Sequence, residues 1–431
     1  MWQNCSVFYQ IYPLGACGAP FENDGQVTHR ILKVKDWICH LSKLGIDCVV
    51  FNPVFQSRTH GYDTTDYYTI DSRLGTNEDF KDVCKVLNDS GIKVVLDAVF
   101  NHVGRDFFAF QDVIEKKWNS EYKDWFYIDF NGNNSYDDGF WYQDWEGNDI
   151  LVKLNLQNQN VVDYILGVVD FWENEFHISG LRIDVAYCLD RNFLRQLHQH
   201  VSGDFFLYGE TLHGDYNQWV NNEMLDSCTN YECYKGIYSS FNSANFYEIL
   251  YSLNRQFGKE PWCLYTGKQL FNFVDNHDVT RLATILNDKK QIALVYGLLF
   301  TMPGIPCIYY GSEWGIEGNK NWNDSELRPE IHDCKWNELT DWIQKLIEIK
   351  HTHSSLHNGD YTQMGINNTC CIFQRSNNEE CLWICINMKN ESQTLGFNGE
   401  GEFFDIISNE RINIYNQYTF KPYECRILKH V

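Results

Sequence analysis

No C-x-x-C pair occurs among the 16 cysteines of this 431-residue chain, which removes the common zinc-site signature. Positive charge is scarce: 35 Lys and Arg stand against 58 Asp and Glu, for a net charge of -23. Nucleic acid and anionic membrane surfaces are thereby excluded as partners. No uninterrupted apolar run approaches the roughly 18 residues of a membrane span. The start, Met1-Trp2-Gln3-Asn4, has neither a basic region nor the apolar stretch of a signal peptide. Phosphate loops of the G-x-x-x-x-G-K-[ST] type, internal repeats and low-complexity tracts are also missing. The cysteines are scattered, many inside apolar runs (Cys39, Cys48, Cys84, Cys307), as buried free thiols tend to be. A reduced, cytoplasmic protein is the reading these absences leave.

What is abundant is aromatic: 16% of residues, with 14 Trp and 26 Tyr. Flat rings fill cores, but they also stack on sugar faces, and a neutral substrate suits an acidic protein. The chain is too long for one simple core, so two or three domains are expected. Short apolar runs recur between amphipathic segments: Val7–Ile11, Cys48–Phe51, Val94–Ala98, Gly180–Asp184, Phe205–Gly209, Met224–Cys228, Leu270–Val274 and Cys307–Tyr310. Helical spacing marks Ile31–Leu44, Phe80–Asn88 and Val161–Asn174 between them, and Trp336–Lys350 after the last. Eight such strands alternating with helices predict a (β/α)8 barrel. One connection, after the third strand, is too long for a loop and predicts a small inserted domain. From Ser354 onward short alternating segments (Thr369–Gln374, Cys381–Asn387, Gln393–Phe397, Glu402–Asp405, Tyr418–Leu428) predict an antiparallel β-domain. The expected division is a barrel of residues 1–102 and 156–352, an insertion of 103–155 and a C-terminal domain of 353–431.

Barrel enzymes carry their chemistry at the C-terminal ends of the strands. There the third strand offers Asp97, Asn101 and His102, the fourth Arg182 and Asp184, the fifth Glu210, and the seventh Asp275, Asn276, His277 and Asp278. Arg182 and Asp184, two apart in a strand, share a face. Alone they could be a structural ion pair; four strands aiming acids at one mouth indicate chemistry. Two carboxylates whose environments separate their pKa values are the machinery of glycoside hydrolysis. Asp184 beside Arg182 should stay ionised and attack, whereas Glu210, behind an apolar run and Gly209, is placed to hold and donate a proton. Asp278 could bind sugar hydroxyls, with His102 and His277 as hydrogen-bond donors. A metal-dependent barrel hydrolase is the competing chemistry, but the first strand lacks the His-x-His it commonly needs.

These segments resemble something known. Asp97-Ala98-Val99-Phe100-Asn101-His102, Gly180-Leu181-Arg182-Ile183-Asp184, Gly209-Glu210 and Phe273-Val274-Asp275-Asn276-His277-Asp278 are similar, in order and spacing, to the four signature segments of the α-amylase family, glycoside hydrolase family 13. His60–Tyr67 resembles the family segment whose Tyr stacks under the cleaved sugar, and Gly304–Gly311 its eighth strand. The resemblance implies a retaining enzyme with Asp184 as nucleophile, Glu210 as acid/base and Asp278 as the third acid. It implies Arg182 as the group orienting Asp184, Tyr62, His102 and His277 as the lining of the cleaved glucose's subsite, and Asp97 as structural support. Retention implies nucleophile and acid/base carboxyls ~5–5.5 Å apart.

Val152-Lys153-Leu154-Asn155 resembles a segment of the neopullulanase and cyclomaltodextrinase group, where many α-glucosidases have Asp in place of Lys153. That group usually carries an N-terminal β-domain, whereas this chain begins at the first strand. The expected substrate is therefore starch-derived α-1,4-glucan, the alternatives being cyclodextrin or pullulan hydrolysis and transglycosylation. An inactive binding member of the family typically loses one of the acids, and none is missing here. Asn101 matches a family calcium ligand, but Tyr187-Cys188 stands where calcium-dependent members carry Lys-His. With one ligand nameable out of the six to eight that calcium takes, the expectation is an enzyme that requires no cofactor. Of the inserted aromatics Trp118, Trp125, Phe126, Tyr127, Phe130, Phe140, Trp141 and Trp145, most should form a small core and one or two should meet sugar.

Overall fold

The structure is a computed structural model and describes residues 2–431. Eight parallel strands form the central sheet: β1 (Phe8–Ile11), β2 (Cys48–Phe51), β3 (Lys93–Ala98), β4 (Gly180–Ile183), β5 (Phe206–Gly209), β6 (Ser227–Cys228), β7 (Phe271–Asn272) and β8 (Ile305–Tyr309). β1 pairs with both β2 and β8, and an isolated bridge between Thr229 and Phe271 closes β6 against β7. The sheet is thus a barrel. Both faces of its strands are covered, so they read as apolar runs rather than as alternation.

The alternation is nevertheless present inside. Phe8, Cys48, Val50, Val95, Phe206, Tyr208, Phe271, Ile305 and Cys307 form a separate buried cluster, tied by aromatic pairs such as Tyr208 with Phe271 at 4.2 Å between centroids. Two residues further along these strands, the same faces carry Gln10, Asn52, Asp97 and Glu210. Gly180 allows β4 to approach β5: a Cβ there would come within 2.3 Å of the Phe206 carbonyl oxygen.

The first expected helix differs in kind. Arg30–Trp37 winds as a 3-10 helix before Ile38–Leu44 continues as an α-helix to Gly45 at φ 92°. Its buried residues, Ile31, Val34 and Trp37, recur every three positions, the repeat that eclipses side chains in a 3-10 helix. Helices Asn77–Asp89 and Glu338–Thr352 both begin with a capping box, Thr76 with Asp79 and Asn337 with Thr340.

After β3 a small sheet pairs His102–Gly104 with Asn148–Lys153, and the latter with Asp144–Trp145. His102 therefore belongs to the inserted sheet. The C-terminal sheet has six antiparallel strands, in the order Asp360–Ile366, Cys370–Ser376, Cys381–Asn387, Cys425–His430, Gln393–Asp405, Arg411–Phe420. Two expectations change here. Gln393–Asp405 is one strand, its register shifted between Gly396 and Glu400, rather than two. The single run Tyr418–Leu428 is two strands, because Pro422 cannot donate to a ladder and Tyr423 takes φ 47°. Among the described residues no helix is long and apolar enough to cross a membrane.

Candidate active site

The centre of the barrel mouth is one guanidinium. Arg182 Nη1 donates to both oxygens of Asp97 at 2.7 Å and to Asp184 Oδ1 at 3.1 Å. Nη2 lies 3.1 Å from Glu210 Oε1. Arg182, Asp97, Asp184 and Glu210 are all buried. The strands dictate this: Arg182 is in register with Asp97 on β3 and Tyr208 on β5, and each acid stands at or just past a strand end. Asp97 takes the guanidinium at both oxygens and so is its main counterion.

Glu210 is fixed from two further sides. Val185 N–H donates to its Oε2 at 3.2 Å and Tyr231 Oη–H to its Oε1 at 3.3 Å. Val185 reaches Glu210 because it adopts φ 41°, ψ 42°, a left-handed conformation that a β-branched residue rarely accepts. Gly209 gives the chain room, since a Cβ there would meet Ala186 and Leu225 at 2.6 Å.

A second network holds the far wall. Gln10 donates to Asn52 Oδ1 at 3.0 Å and lies 2.9 Å from His277 Nδ1. Asn52 donates to Asp97 at 3.0 Å, and Tyr62 Oη–H to the same Asp97 oxygen at 2.9 Å. Tyr62 sits in the turn of the hairpin Phe55–Ser57/Thr64–Ile70, which sequence reading left without strands. His277 is stacked between Tyr62 and Tyr12, with centroids 5.7 and 6.2 Å away. Its Nε2 lies 2.8 Å from Asp278 Oδ2, while Arg328 Nη2 donates to Asp278 Oδ1 at 3.0 Å and Nε to the His277 carbonyl at 3.1 Å. His102 Nδ1 lies 3.1 Å from the Asn101 amide, its ring stacks on Trp145, and its Nε2 is buried with no partner.

The charges divide accordingly. Burial, the largest influence, raises the Asp184 carboxyl well above its usual value; Arg182 opposes this, and Glu210, Asp97 and Asp278 add to it. Asp184 was expected to stay ionised beside Arg182; the guanidinium does pull its carboxyl down, but burial and the repulsion of the neighbouring carboxylates outweigh that pull. At Asp278 burial also raises, but His277, Arg328 and Arg182 outweigh it and hold the carboxyl well below the usual range. Burial, with His60 next and Lys153 further, lowers His102 to about 3, so its ring is neutral.

All the residues read as site residues except Asn101 thus meet in one network or line one cleft of about 600 Å³. Sequence reading missed Gln10, Asn52, Tyr231 and Arg328. Gln10 and Asn52 had a signal, being polar residues on the inward faces of apolar strands. Arg328 had none, because it lies far past the end of β8 in sequence. Of the inserted aromatics, Trp145 and no other lines the cleft; Trp125, Phe126 and Phe140 are buried in the insertion's core.

Residues 32–358 match the family described as alpha amylase, catalytic domain. The chain belongs to the α-amylase family. A maltogenic alpha-amylase of Bacillus acidopullulyticus is 31% identical over 455 residues, spanning 96% of this chain and 74% of its own. A cyclomaltodextrinase of a Bacillus species is 29% identical over 425 residues, with 91% and 74% covered. Among solved structures, the ligand-free cyclic alpha-maltosyl-(1-->6)-maltose hydrolase of Arthrobacter globiformis superposes with TM-score 0.85 at 25% identity, over 100% of both chains.

The family resemblance also raised calcium at Asn101. Its Oδ1 is buried without a partner, and it lines a cavity of about 240 Å³ between the insertion and the barrel. The other walls do not suit a divalent cation. Lys153 lines the same cavity, and Asp190, the one carboxylate residue in its lining, caps helix Arg191–His200 at the N–H groups of Asn192 and Phe193. Calcium requires six to eight oxygen ligands, and this α-amylase family member offers a donor set that does not fit it.

Proposed function

We propose that this member of the α-amylase family is a retaining hydrolase of α-1,4-glucosidic bonds in starch-derived maltodextrins, working without a cofactor. The observation that carries the reading is one buried guanidinium holding Asp184 and Glu210 together beside a third acid. Asp184 attacks the anomeric carbon while Glu210 gives its proton to the glycosidic oxygen, which leaves with the bond's electron pair. Glu210 then takes a proton from water, whose oxygen displaces Asp184 and restores both groups. Asp278, kept charged by Arg328 and His277, faces the positive charge that develops on the sugar ring. The unpartnered Nε2 of neutral His102 and the Tyr62–His277 stack receive the hydroxyls and the face of the ring. Sixteen unpaired cysteines support a reducing compartment, the cytoplasm.

A second reading, cyclodextrin opening, is favoured by Val152–Asn155 and by the cyclomaltodextrinase likeness. Product analysis on starch, β-cyclodextrin and pullulan, run side by side, separates them. Maltodextrins released with retained α-configuration from starch are expected. Inverted products would sink the covalent mechanism, and fast cyclodextrin opening with poor starch turnover would favour the second reading.

A further inference from the structure

Two exposed aromatic rings on the cleft wall take no part in the chemistry above. Phe21 is 57% and Trp322 93% exposed, and both line the cleft. They come from opposite ends of the chain's barrel: Phe21 from the connection after β1, Trp322 from the long connection after β8. Asn323 and Arg328 share with Phe21 a smaller cavity that prolongs the cleft, so the rings flank the end marked by Arg328 and Asp278. Glu210, Leu212 and Tyr231 line the cleft but not that smaller cavity.

Neither ring rides on a loose loop. The Phe21 carbonyl accepts from Arg73, a fully buried guanidinium that also donates to the carbonyls of Pro20 at 3.1 Å and Thr59 at 2.7 Å. Asp71 holds Arg73 in turn at 2.7 and 2.9 Å. On the other wall, Lys320 N–H donates to Thr280 Oγ1 at 3.1 Å before Trp322, and Asp324 after it accepts from Lys320 Nζ at 3.0 Å and Arg328 at 3.2 Å. These bonds anchor the segments that carry the two rings, which reduces the ordering entropy lost when a ligand covers them. A pyranose presents an apolar C–H face of the kind such rings bury. An acid that protonates the leaving oxygen must stand on the leaving-group side, which places the Asp278–Arg328 end with the part of the glucan that becomes bound to Asp184.

We propose that Phe21 and Trp322 form an aromatic platform for a glucose unit beyond the one attacked, on its non-reducing side, and so set the length of the fragment transferred to the enzyme. The inference rests on the hydrolase reading above. Its test compares wild type with Phe21→Ala, Trp322→Ala and Trp322→Phe on maltose and on reducing-end-labelled maltohexaose. Each alanine variant should lower kcat/KM for maltohexaose relative to maltose by about three- to tenfold and move cleavage so that the labelled fragment lengthens; Trp322→Phe should restore most of both. An unchanged ratio and an unchanged cleavage position in both alanine variants overturn the platform and leave the hydrolase reading standing. A wild-type protein inert on both sugars sinks the hydrolase reading, and the platform with it.

Discussion

The lower and upper halves of the barrel interior are built by the same strands with the same two-residue alternation, yet they do opposite things. Below, Phe8, Val50, Val95, Phe206 and Tyr208 close on one another as apolar packing. Above, two residues on, Gln10, Asn52, Asp97 and Glu210 converge with Arg182 in a buried polar network at the floor of the cleft. Removing apolar surface from water stabilises the fold in proportion to area. Gathering acids around one guanidinium costs desolvation that their attraction barely repays, and the raised Asp184 carboxyl is the sign of that cost. The lesson is that the lower half holds the barrel shut so that the upper half can keep groups in strained ionisation states.

Four experiments would break or sharpen this contrast. Asp184→Asn should lower kcat on the order of 10⁴-fold or more, while the melting temperature stays level or rises because a costly buried acid is gone. A variant that unfolds, or one that keeps full activity, would contradict the division. Phe206→Ala should do the reverse, losing about 3–5 kcal/mol of unfolding free energy in urea titration with kcat nearly kept at low temperature. A selective loss of kcat there would show that the lower packing belongs to the chemistry.

The acid limb of kcat/KM is the next largest effect. Asp184 must be ionised to attack, and its carboxyl is raised. Activity should therefore fall as pH drops through a midpoint above the ordinary aspartate value of about 3.9; a limb at or below that value would mean that Arg182 controls Asp184 after all. Asp278, held below the usual range, should contribute no limb in the working range. The smallest effect is the chelator's. Excess EDTA should change neither the melting temperature nor the rate, and a marked loss restored by calcium would overturn the reading of the Lys153 cavity.

Much of the framework was legible because it depends on local repetition. The eight strands stand within a few residues of the apolar runs, since a parallel strand buried on both faces must be apolar. The acids were legible because strand ends in a barrel converge by topology. The C-terminal strands were less so: a bulge merges two predicted strands and Pro422 divides another, and neither changes the hydrophobic pattern much. Arg328 was invisible because nothing local distinguishes it from a solvated arginine.

By itself, then, the chain's pattern determined the barrel and brought the acids at its strand ends to one mouth, because period, strand ends and register are properties of neighbours in sequence. Only the tertiary structure decided how those side chains share charge. Arg182 is divided among Asp97, Asp184 and Glu210, Val185 is bent into a left-handed turn to reach Glu210, and Arg328 arrives from far along the chain to grip Asp278. Distance, burial and the number of partners set an ionisation state, and none of these exists until remote segments meet.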